Sequence, residues 1–426
     1  MSDKRSMIIR ELEEIGSIKK GNFNLKNGAI SKYYFDMRLI ISKPDLVTRI
    51  GDLIYSEMGN FDIICAIPHG GTPIACYIST KYNKPLIYVR DKIKNYGTMK
   101  QIEGKYEKTD RCVIIDDVMT TGKSIIDVNN ILKTEVNVVQ CNIIIDRQEC
   151  YTELPIPVKS LFTKTDYIRY QLNEITISKK NNLIFSADIS CPIKLLQLIK
   201  KIGDRIIICK LHLDCIEFSL SSMNYNNFKS IMIQLSVEKN FLIMEDRKFV
   251  DISSIVMKQF KTLSSWVDLV TVHGSVNQEV LKKLNGIVIV SNMSNNNWNF
   301  DKQSLCYGFL EHERIVGFVT QYDLFSKQNR IKNNSQKNEL FDLCSSNSDF
   351  EKYLNDHRHL DRRIFQMTPG ISLNSKKEGD QNYKSPDKLD TDFMIVGRAV
   401  YYADDPIVEI EKLCNNSNQV WSYEVD

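Results

Sequence analysis

The chain lacks most marks of a secreted, membrane-spanning or metal-built protein. Its 11 cysteines are scattered, with no CxxC pair and no regular framework. Most sit beside apolar runs, as Cys65, Cys112 and Cys191 do, and read as reduced core thiols of an intracellular protein. The 6 histidines form no HExxH, and no other metal motif stands out. No apolar run reaches membrane length and no signal peptide is present, so no membrane partner is expected and the cytosol is the expected compartment. Net charge is only +3 over 426 residues, too little to argue for a nucleic-acid partner. The basic runs, such as Asp91 to Lys94, are short and lack the interleaved aromatics on which bases stack.

What is present is an ordinary soluble composition, 42% hydrophobic and 26% charged, in a chain long for one core and suited to two domains. A short amphipathic start, Ile8 to Ile18, leads into NFNLKNGAISKYYFDMRLIISKP. Alternation there predicts a small hairpin carrying Lys26, Tyr33, Tyr34, Asp36 and Arg38. A helix from Asp45 to Met58 precedes strand-like FDIICAI, Phe61 to Ile67, which runs into the Gly-rich turn PHGGTP. Such a strand–turn–helix unit offers backbone N–H groups to an anion. KPLIYV, Lys84 to Val89, is the next strand. Arg90 to Gly104 is polar and basic with two glycines, and predicts a mobile loop that closes over something negative.

The decisive motif of this half is CVIIDDVMTTGKS, Cys112 to Ser124. Cys112 to Ile115 predicts a buried strand with Asp116 and Asp117 at its carboxyl end. Thr120, Thr121, Gly122, Lys123 and Ser124 then supply hydroxyls and consecutive N–H groups at a helix start. The carboxylates can accept from sugar hydroxyls while the turn cradles a terminal phosphate. It is not a Walker loop, since the GxxxxGK spacing is missing.

This motif resembles the phosphoribosyl pyrophosphate signature of type I phosphoribosyltransferases. LKNG, YYFD, the Arg90 to Gly97 loop and IIIDRQE, Ile143 to Glu149, resemble their counterparts in orotate phosphoribosyltransferase. The resemblance implies that fold, with orotate and phosphoribosyl pyrophosphate as substrates and Mg²⁺ carried mainly by the diphosphate. It implies Lys26 and Arg147 at the diphosphate and orotate ends of the site, with Tyr33, Tyr34 and Phe35 framing the pyrimidine. Lys94 would be the catalytic loop lysine reaching the pyrophosphate, Asp116 a catalytic carboxylate, and Arg90 and Asp117 substrate contacts. The family's usual Arg-Lys pair reads Arg90-Asp91 here, with Lys92 displaced by one place.

The first domain is read as 1–160 and a linker as 161–180, where Lys159 to Asn182 is mixed in polarity and weakly periodic. The linker looks short of the helical lead-in expected before the second domain, which bears on packing at that domain's lower end. From 181 to 426 the pattern is strand then helix, repeated: LIFSADI, a helix from Pro192 to Ile202, RIIICKLHLD, FLIMEDRKFVDI, WVDLVTVHG, GIVIVSN, RIVGFVT and DFMIVGR. This predicts an α/β fold, a (β/α)₈ TIM barrel, whose working residues lie at strand carboxyl ends. Asp188, Lys210, Asp246, Lys248, His273, Gln321 and Arg398 all occupy such positions. In FLIMEDRKFVDI, two carboxylates and a lysine at the end of an apolar run are costly to bury unless paired, so the cluster is a salt-bridged sheet end or a site.

SAD, KLHLD, EDRKFVDI, TVHG, TPG, QNY and VGR resemble orotidine 5'-phosphate decarboxylase. The resemblance implies an alternating network of Lys210, Asp246, Lys248 and Asp251, the last reaching the site of a second subunit in a homodimer. Lys248 would donate the proton to C6, and this step would need no cofactor. Asp188 and His212 would meet the phosphoribosyl group and Ser294 the pyrimidine. Gln381, Tyr383 and Arg398 would hold the phosphate, with Pro369 and Gly397 beside them. Ile255, Asn277 and Asn292 depart from the usual residues, the phosphate loop is reorganised as NSKKEGDQNY, and Asp323 to Arg362 reads as a polar surface insertion. Transferase followed by decarboxylase resembles the bifunctional uridine 5'-monophosphate synthase family, whose pathway ends in UMP. Two alternatives stay open from sequence: a decarboxylase with an impaired transferase, and a non-catalytic nucleotide-binding regulator.

Overall fold

The computed structural model describes residues 2–24, 28, 30–90, 101–293, 300–326, 339–356, 363–373 and 383–417. Lys26, Asp91, Lys92, Lys94, Ser294 and Gln381 lie outside them. The chain forms two compact units, residues 3–19 with 34–167, and residues 20–33 with 168–426. Among the described residues no helix is long and apolar enough to cross a membrane.

The expected hairpin is present as β1 (Ile18–Asn24) paired with β2 (Ile30–Phe35). The first unit is built on a six-stranded sheet of β3 (Ile63–Ala66), β4 (Leu86–Val89), β5 (Ile102–Glu103), β6 (Arg111–Met119), β7 (Asn137–Asp146) and β8 (Val158–Thr163), in the order β5-β4-β3-β6-β7-β8. Only the short edge pair β4–β5 is antiparallel. β3 is buried at every residue and β6 from Cys112 to Asp116, which explains their unbroken apolar runs: a parallel strand covered on both faces shows no alternation. Helices α1 (Ser2–Glu14), α2 (Pro44–Glu57), α3 (Thr72–Tyr82) and α4 (Lys123–Leu132) belong to this unit. α2 starts at Pro44, where the missing N–H costs nothing, and buries Leu46, Ile50 and Ile54 along one stripe.

The stretch read as a linker is ordered. It holds the end of β8 and the 16-residue helix α5 (Lys164–Lys179). Its periodicity is weak because α5 is buried round most of its circumference, polar residues included: Thr165 bonds Gln148 through its hydroxyl at 2.5 Å, and Arg169 donates to the carbonyls of His312 and Ile315. Ile168, Leu172 and Ile175 join the core of the second unit. This helix supplies the lead-in that the sequence appeared to lack. At its end Lys179 donates to three carbonyls, Gly203, Ile206 and Lys239, at 2.8–2.9 Å.

The second unit is a closed barrel of eight parallel strands: β9 (Leu183–Ser186), β10 (Ile208–Leu211), β11 (Leu242–Phe249), β12 (Leu269–His273), β13 (Ile287–Val290), β14 (Ile315–Val319), β15 (Phe365–Pro369) and β16 (Phe393–Val396), with β16 returning to β9. Alternate inward residues such as Ile184, Ile208, Leu242, Met244, Val288, Val316 and Met367 fill it, as the barrel geometry requires. Outside lie α6 (Pro192–Ile202), α7 (Tyr225–Glu238), α8 (Ser253–Lys261), α9 (Gln278–Leu281) and α10 (Asp301–Leu310). Part of the stretch read as a surface insertion is core-forming: helices Glu339–Ser345 and Ser348–Asp356 bury Cys344, Phe350, Tyr353 and Leu354. Phe350 and Tyr353 pack on Phe309 of α10. A few buried aromatics are easily hidden in a polar sequence, which is why the reading missed them.

Residues 20–33 of the hairpin pack with the barrel unit. Lys32 is fully buried and pairs with Asp268, just before β12, at 2.5 Å. The Tyr33 hydroxyl donates to the other oxygen of Asp268, and the Ile243 N–H donates to Oδ2 at 2.7 Å. Tyr33 therefore does not frame a pyrimidine, as the sequence suggested. It is held in the barrel's polar base, where Gln171 of α5 donates to its hydroxyl at 3.1 Å.

Candidate active site

The carboxyl ends of the barrel strands gather the charged residues picked out in the sequence. Asp188, Lys210, Asp246, Lys248, Pro369, Tyr383, Gly397 and Arg398 border one cavity of about 330 Å³. Lys210 and Asp246 point inward from β10 and β11, and both are buried. Asp246 Oδ2 lies 2.5 Å from Lys210 Nζ, 2.9 Å from Lys248 Nζ and 3.2 Å from His212 Nε2. His212 also lies 3.8 Å from Asp188, whose carboxylate accepts from Ser186 at 3.2 Å. Burial of Asp246 works against its charge, but Lys210, His212 and Lys248 outweigh it and hold the carboxyl well below its usual range. The stability this supplies is complete above the ordinary carboxylate range and is lost only as pH falls far below it. Val290, Val319 and Ile395 give the cavity an apolar wall, and at its rim the Arg398 guanidinium sits 5.7 Å from the Tyr383 ring centre. One end suits an anion and the middle suits a flat ring.

The strand that presents Lys248 is irregular. Glu245 pairs with Val270 and Phe249 with Val272, so Asp246–Lys248 stand opposite Thr271 alone. Such a bulge re-aims a side chain, and Lys248 adopts the left-handed region at φ 51°, uncommon for a residue with a Cβ. Its N–H donates to Thr271 Oγ1 at 2.8 Å, and that hydroxyl donates to Asp246 Oδ1 at 2.7 Å. Asp251 stands apart from this cluster: it is exposed and accepts from the Ile252 N–H at 2.7 Å. Exposed Val250 and Ile252 flank it.

In the first unit, Asp116 and Asp117 end the buried part of β6 and face the Gly-rich turn. A Cβ on Gly70 would lie 2.0 Å from the Asp117 carboxyl carbon, and one on Gly71 would lie 2.2 Å from the Ile115 carbonyl. Only glycine permits this approach. Burial, reinforced by the neighbouring Asp117, pushes the Asp116 carboxyl well above its ordinary range. Thr120, Thr121 and Gly122, the last at φ 75°, lead into α4, so Lys123 and Ser124 occupy its first turn with open N–H groups. Arg147 donates to Glu149 at 2.8 Å and lies 5.8 Å from the Phe35 ring centre, while its buried Nε has no partner among the described residues. Tyr34 is half-exposed nearby in sequence, and Arg90 is tied to Glu103 at 2.6 Å.

Residues 181–413 match the family described as orotidine 5'-phosphate decarboxylase / HUMPS. The chain belongs to that family. Residues 41–173 match the phosphoribosyl transferase domain. The uridine 5'-monophosphate synthase of Bos taurus is 24% identical over 473 residues, covering 92% of each chain, and that of Naegleria gruberi is 25% identical over 93% of this chain and 92% of its own. The orotate phosphoribosyltransferase of Methanosphaera stadtmanae is 36% identical over 177 residues, 40% of this chain and 99% of its own. The chain thus carries a phosphoribosyltransferase unit ahead of its decarboxylase-family barrel, in the order found in the synthases.

Two residues that support the cavity from outside its lining stand in the TVHG and EDRKFVDI motifs but receive no role from the sequence. Thr271 opens TVHG inside the apolar run LVTV, and nothing in its spacing marks the hydroxyl as part of the ion cluster. Glu245, beside Asp246, points away from the cavity, and its carboxylate accepts from the Leu213 N–H at 3.1 Å. Asn277, one departure, caps α9 by accepting from Glu279 at 2.9 Å. Asn292, another, is buried and bridges Asp301 at 2.9 Å to the Gln321 N–H at 2.7 Å.

Burial pushes the Glu245 carboxyl up to about 8, with the Leu213 N–H opposing the rise. The native state then holds a proton that the unfolded chain releases above about 4.5. Stability therefore falls as pH rises between those values. Glu245→Gln is expected to flatten that fall and to raise barrel stability at pH 8 by a few kcal/mol at most, at about 1.4 kcal/mol per pKa unit. Thermal unfolding across that window measures it, and an unchanged slope counts against it.

Proposed function

We propose that this chain catalyses two successive steps: orotate and phosphoribosyl pyrophosphate to orotidine 5'-phosphate and pyrophosphate, then loss of CO₂ to give UMP. The observation that carries the reading is the ion cluster of Lys210, Asp246 and Lys248 at the mouth of the barrel. In the first step a pyrimidine nitrogen attacks the anomeric carbon, and the C–O bond to the diphosphate breaks with its electron pair leaving on pyrophosphate. Asp116 and Asp117 accept from the ribose hydroxyls, and the Thr120–Ser124 turn with the start of α4 takes the 5'-phosphate. Arg147, with its unpartnered Nε beside Phe35, meets the orotate carboxylate. Mg²⁺, held mainly by the diphosphate itself, would supply charge neutralisation on the leaving group.

In the second step the C6–carboxyl bond breaks, leaving its electron pair on C6, and the Lys248 ammonium gives C6 a proton as CO₂ departs. Asp246 pairs with Lys248 and places it, while Lys210 fixes Asp246 from the other side. Arg398 and Tyr383 bind the phosphate, whose contacts close the site from a distance. Asp251 serves the partner subunit's site in a homodimer, supported by the exposed Val250 and Ile252 beside it. The protein works in the cytosol, a reading that rests on its 11 free cysteines.

A coupled assay from orotate, phosphoribosyl pyrophosphate and Mg²⁺ tests the reading. Orotidine 5'-phosphate should appear first and UMP with CO₂ after it. Release of CO₂ from added orotidine 5'-phosphate without pyrophosphate formation would leave only the barrel's activity standing. Mixing Lys248→Ala with Asp251→Asn chains tests the shared site: a heterodimer regains one intact site only if Asp251 works across the interface. No recovery of CO₂ release would remove that part.

A further inference from the structure

Thr271 is the residue on which the geometry of the ion cluster turns, and although it opens the TVHG motif the sequence gives it no role. It is wholly buried on β12 and stands opposite three residues of the bulged β11. Asp246 divides its two oxygens. Oδ2 meets Lys210, Lys248 and His212, and Oδ1 takes the Thr271 hydroxyl. The same hydroxyl oxygen accepts the N–H of Lys248, which the bulge has removed from the strand ladder. One side chain thus fixes the carboxylate that pairs with Lys248 and the backbone from which Lys248 projects. A hydroxyl can donate and accept at once, and no apolar side chain of the same shape can do either.

We infer that Thr271 is a positioning residue for decarboxylation, aligning Asp246 and Lys248 through the two hydrogen bonds of its hydroxyl. This rests on the decarboxylase reading of the barrel. Without the hydroxyl, Asp246 Oδ1 loses its donor and the Lys248 N–H is left unpaired in a buried bulge. Both shift the ammonium relative to C6, and a displacement of about 1 Å costs on the order of 10²-fold in rate. The groups facing Asp246 are Lys210 and His212 from β10 and its end, Lys248 from β11, and Asp188 behind His212 from the end of β9. Thr271 is the hydroxyl donor to the other oxygen, Oδ1. Its loss weakens the ionised form and raises the carboxyl's pKa, which moves the acid limb of activity upward.

The test compares Thr271→Val, Thr271→Ala and Thr271→Ser in the full chain, measuring CO₂ release from orotidine 5'-phosphate against pH. The urea unfolding midpoint of the barrel unit in the same preparation controls for folded barrel, and pyrophosphate release controls for the amount of intact chain. Val and Ala are expected to lower kcat by about 10²-fold and to shift the acid limb upward, with transferase activity retained. Ser is expected to restore kcat to within about threefold and to return the acid limb to its place. Val and Ala variants with near wild-type kcat and an unmoved acid limb overturn the inference. So does a Ser variant as impaired as Val, since the methyl rather than the hydroxyl would then matter. Should Val not fold, the Ala and Ser pair decides on the same readings. A wild-type chain that releases no CO₂ fails at the control and takes the decarboxylase reading down with it, an outcome distinct from unaffected variants.

Discussion

Lys248→Ala will convert the chain into a transferase that stops at orotidine 5'-phosphate. Its ammonium is the group proposed to stabilise charge at C6 and then to protonate it. Removing an electrostatic stabiliser costs about 10²–10³-fold and removing a general acid a further 10²–10⁴-fold. Because one group does both, the losses do not multiply fully, and a fall in CO₂ release on the order of 10⁴-fold is expected. The coupled assay should then accumulate orotidine 5'-phosphate at an undiminished rate while UMP stays at background. Lys248→Arg keeps the charge but not the point-like donor, and is expected to recover little of the rate. Simultaneous loss of pyrophosphate release would contradict independent sites in the two units.

The largest effect on stability is expected far from the chemistry, at Lys32. The pair with Asp268 is buried on both sides, with side-chain exposures of 2% and 0%. Burial pulls the Lys32 pKa down, and the Asp268 charge pushes back. Lys32→Met leaves Asp268 buried without a counter-charge, which costs about 3–5 kcal/mol. Adding Asp268→Asn should recover much of that loss, because a neutral pair needs no compensation. Urea unfolding followed by tryptophan fluorescence reports on this unit through buried Trp266, and no tryptophan precedes it in the sequence. A single variant as stable as the wild type would mean that Tyr33 and the Ile243 N–H carry Asp268 without the lysine.

The contrast between Lys248 and Lys32 explains what could be read from the sequence and what could not. Lys210, Asp246 and Lys248 lie at the ends of short apolar strands, and a closed parallel barrel brings all strand ends to one face. Position along the chain therefore translates directly into position in space. The same rule located Asp188 and Arg398. Lys32 follows no such rule: its partner is 236 residues away, and nothing local marks a lysine destined for burial. A helix buried on nearly all sides carries no stripe, so α5 reads as a linker in the sequence. Thr271 stands in the TVHG motif, but its role is not legible there because it depends on an irregularity in the neighbouring strand. Glu245 was read together with Asp246, although adjacent residues of a strand face opposite sides.

The pairing of Lys32 with Asp268 also bears on how the chain is made. Synthesis proceeds from the amino terminus, so residues 20–33 leave the ribosome before any strand of the barrel exists. For the whole time that residues 34–267 are being added, Lys32 has no Asp268 to meet. The barrel unit is complete only when its last strands close around a piece made at the start. Closure over that separation carries a high entropic cost and is slow, so the second activity should mature later than the first in a newly made chain. Cutting the gene between the two activities would separate the barrel from one of its own parts.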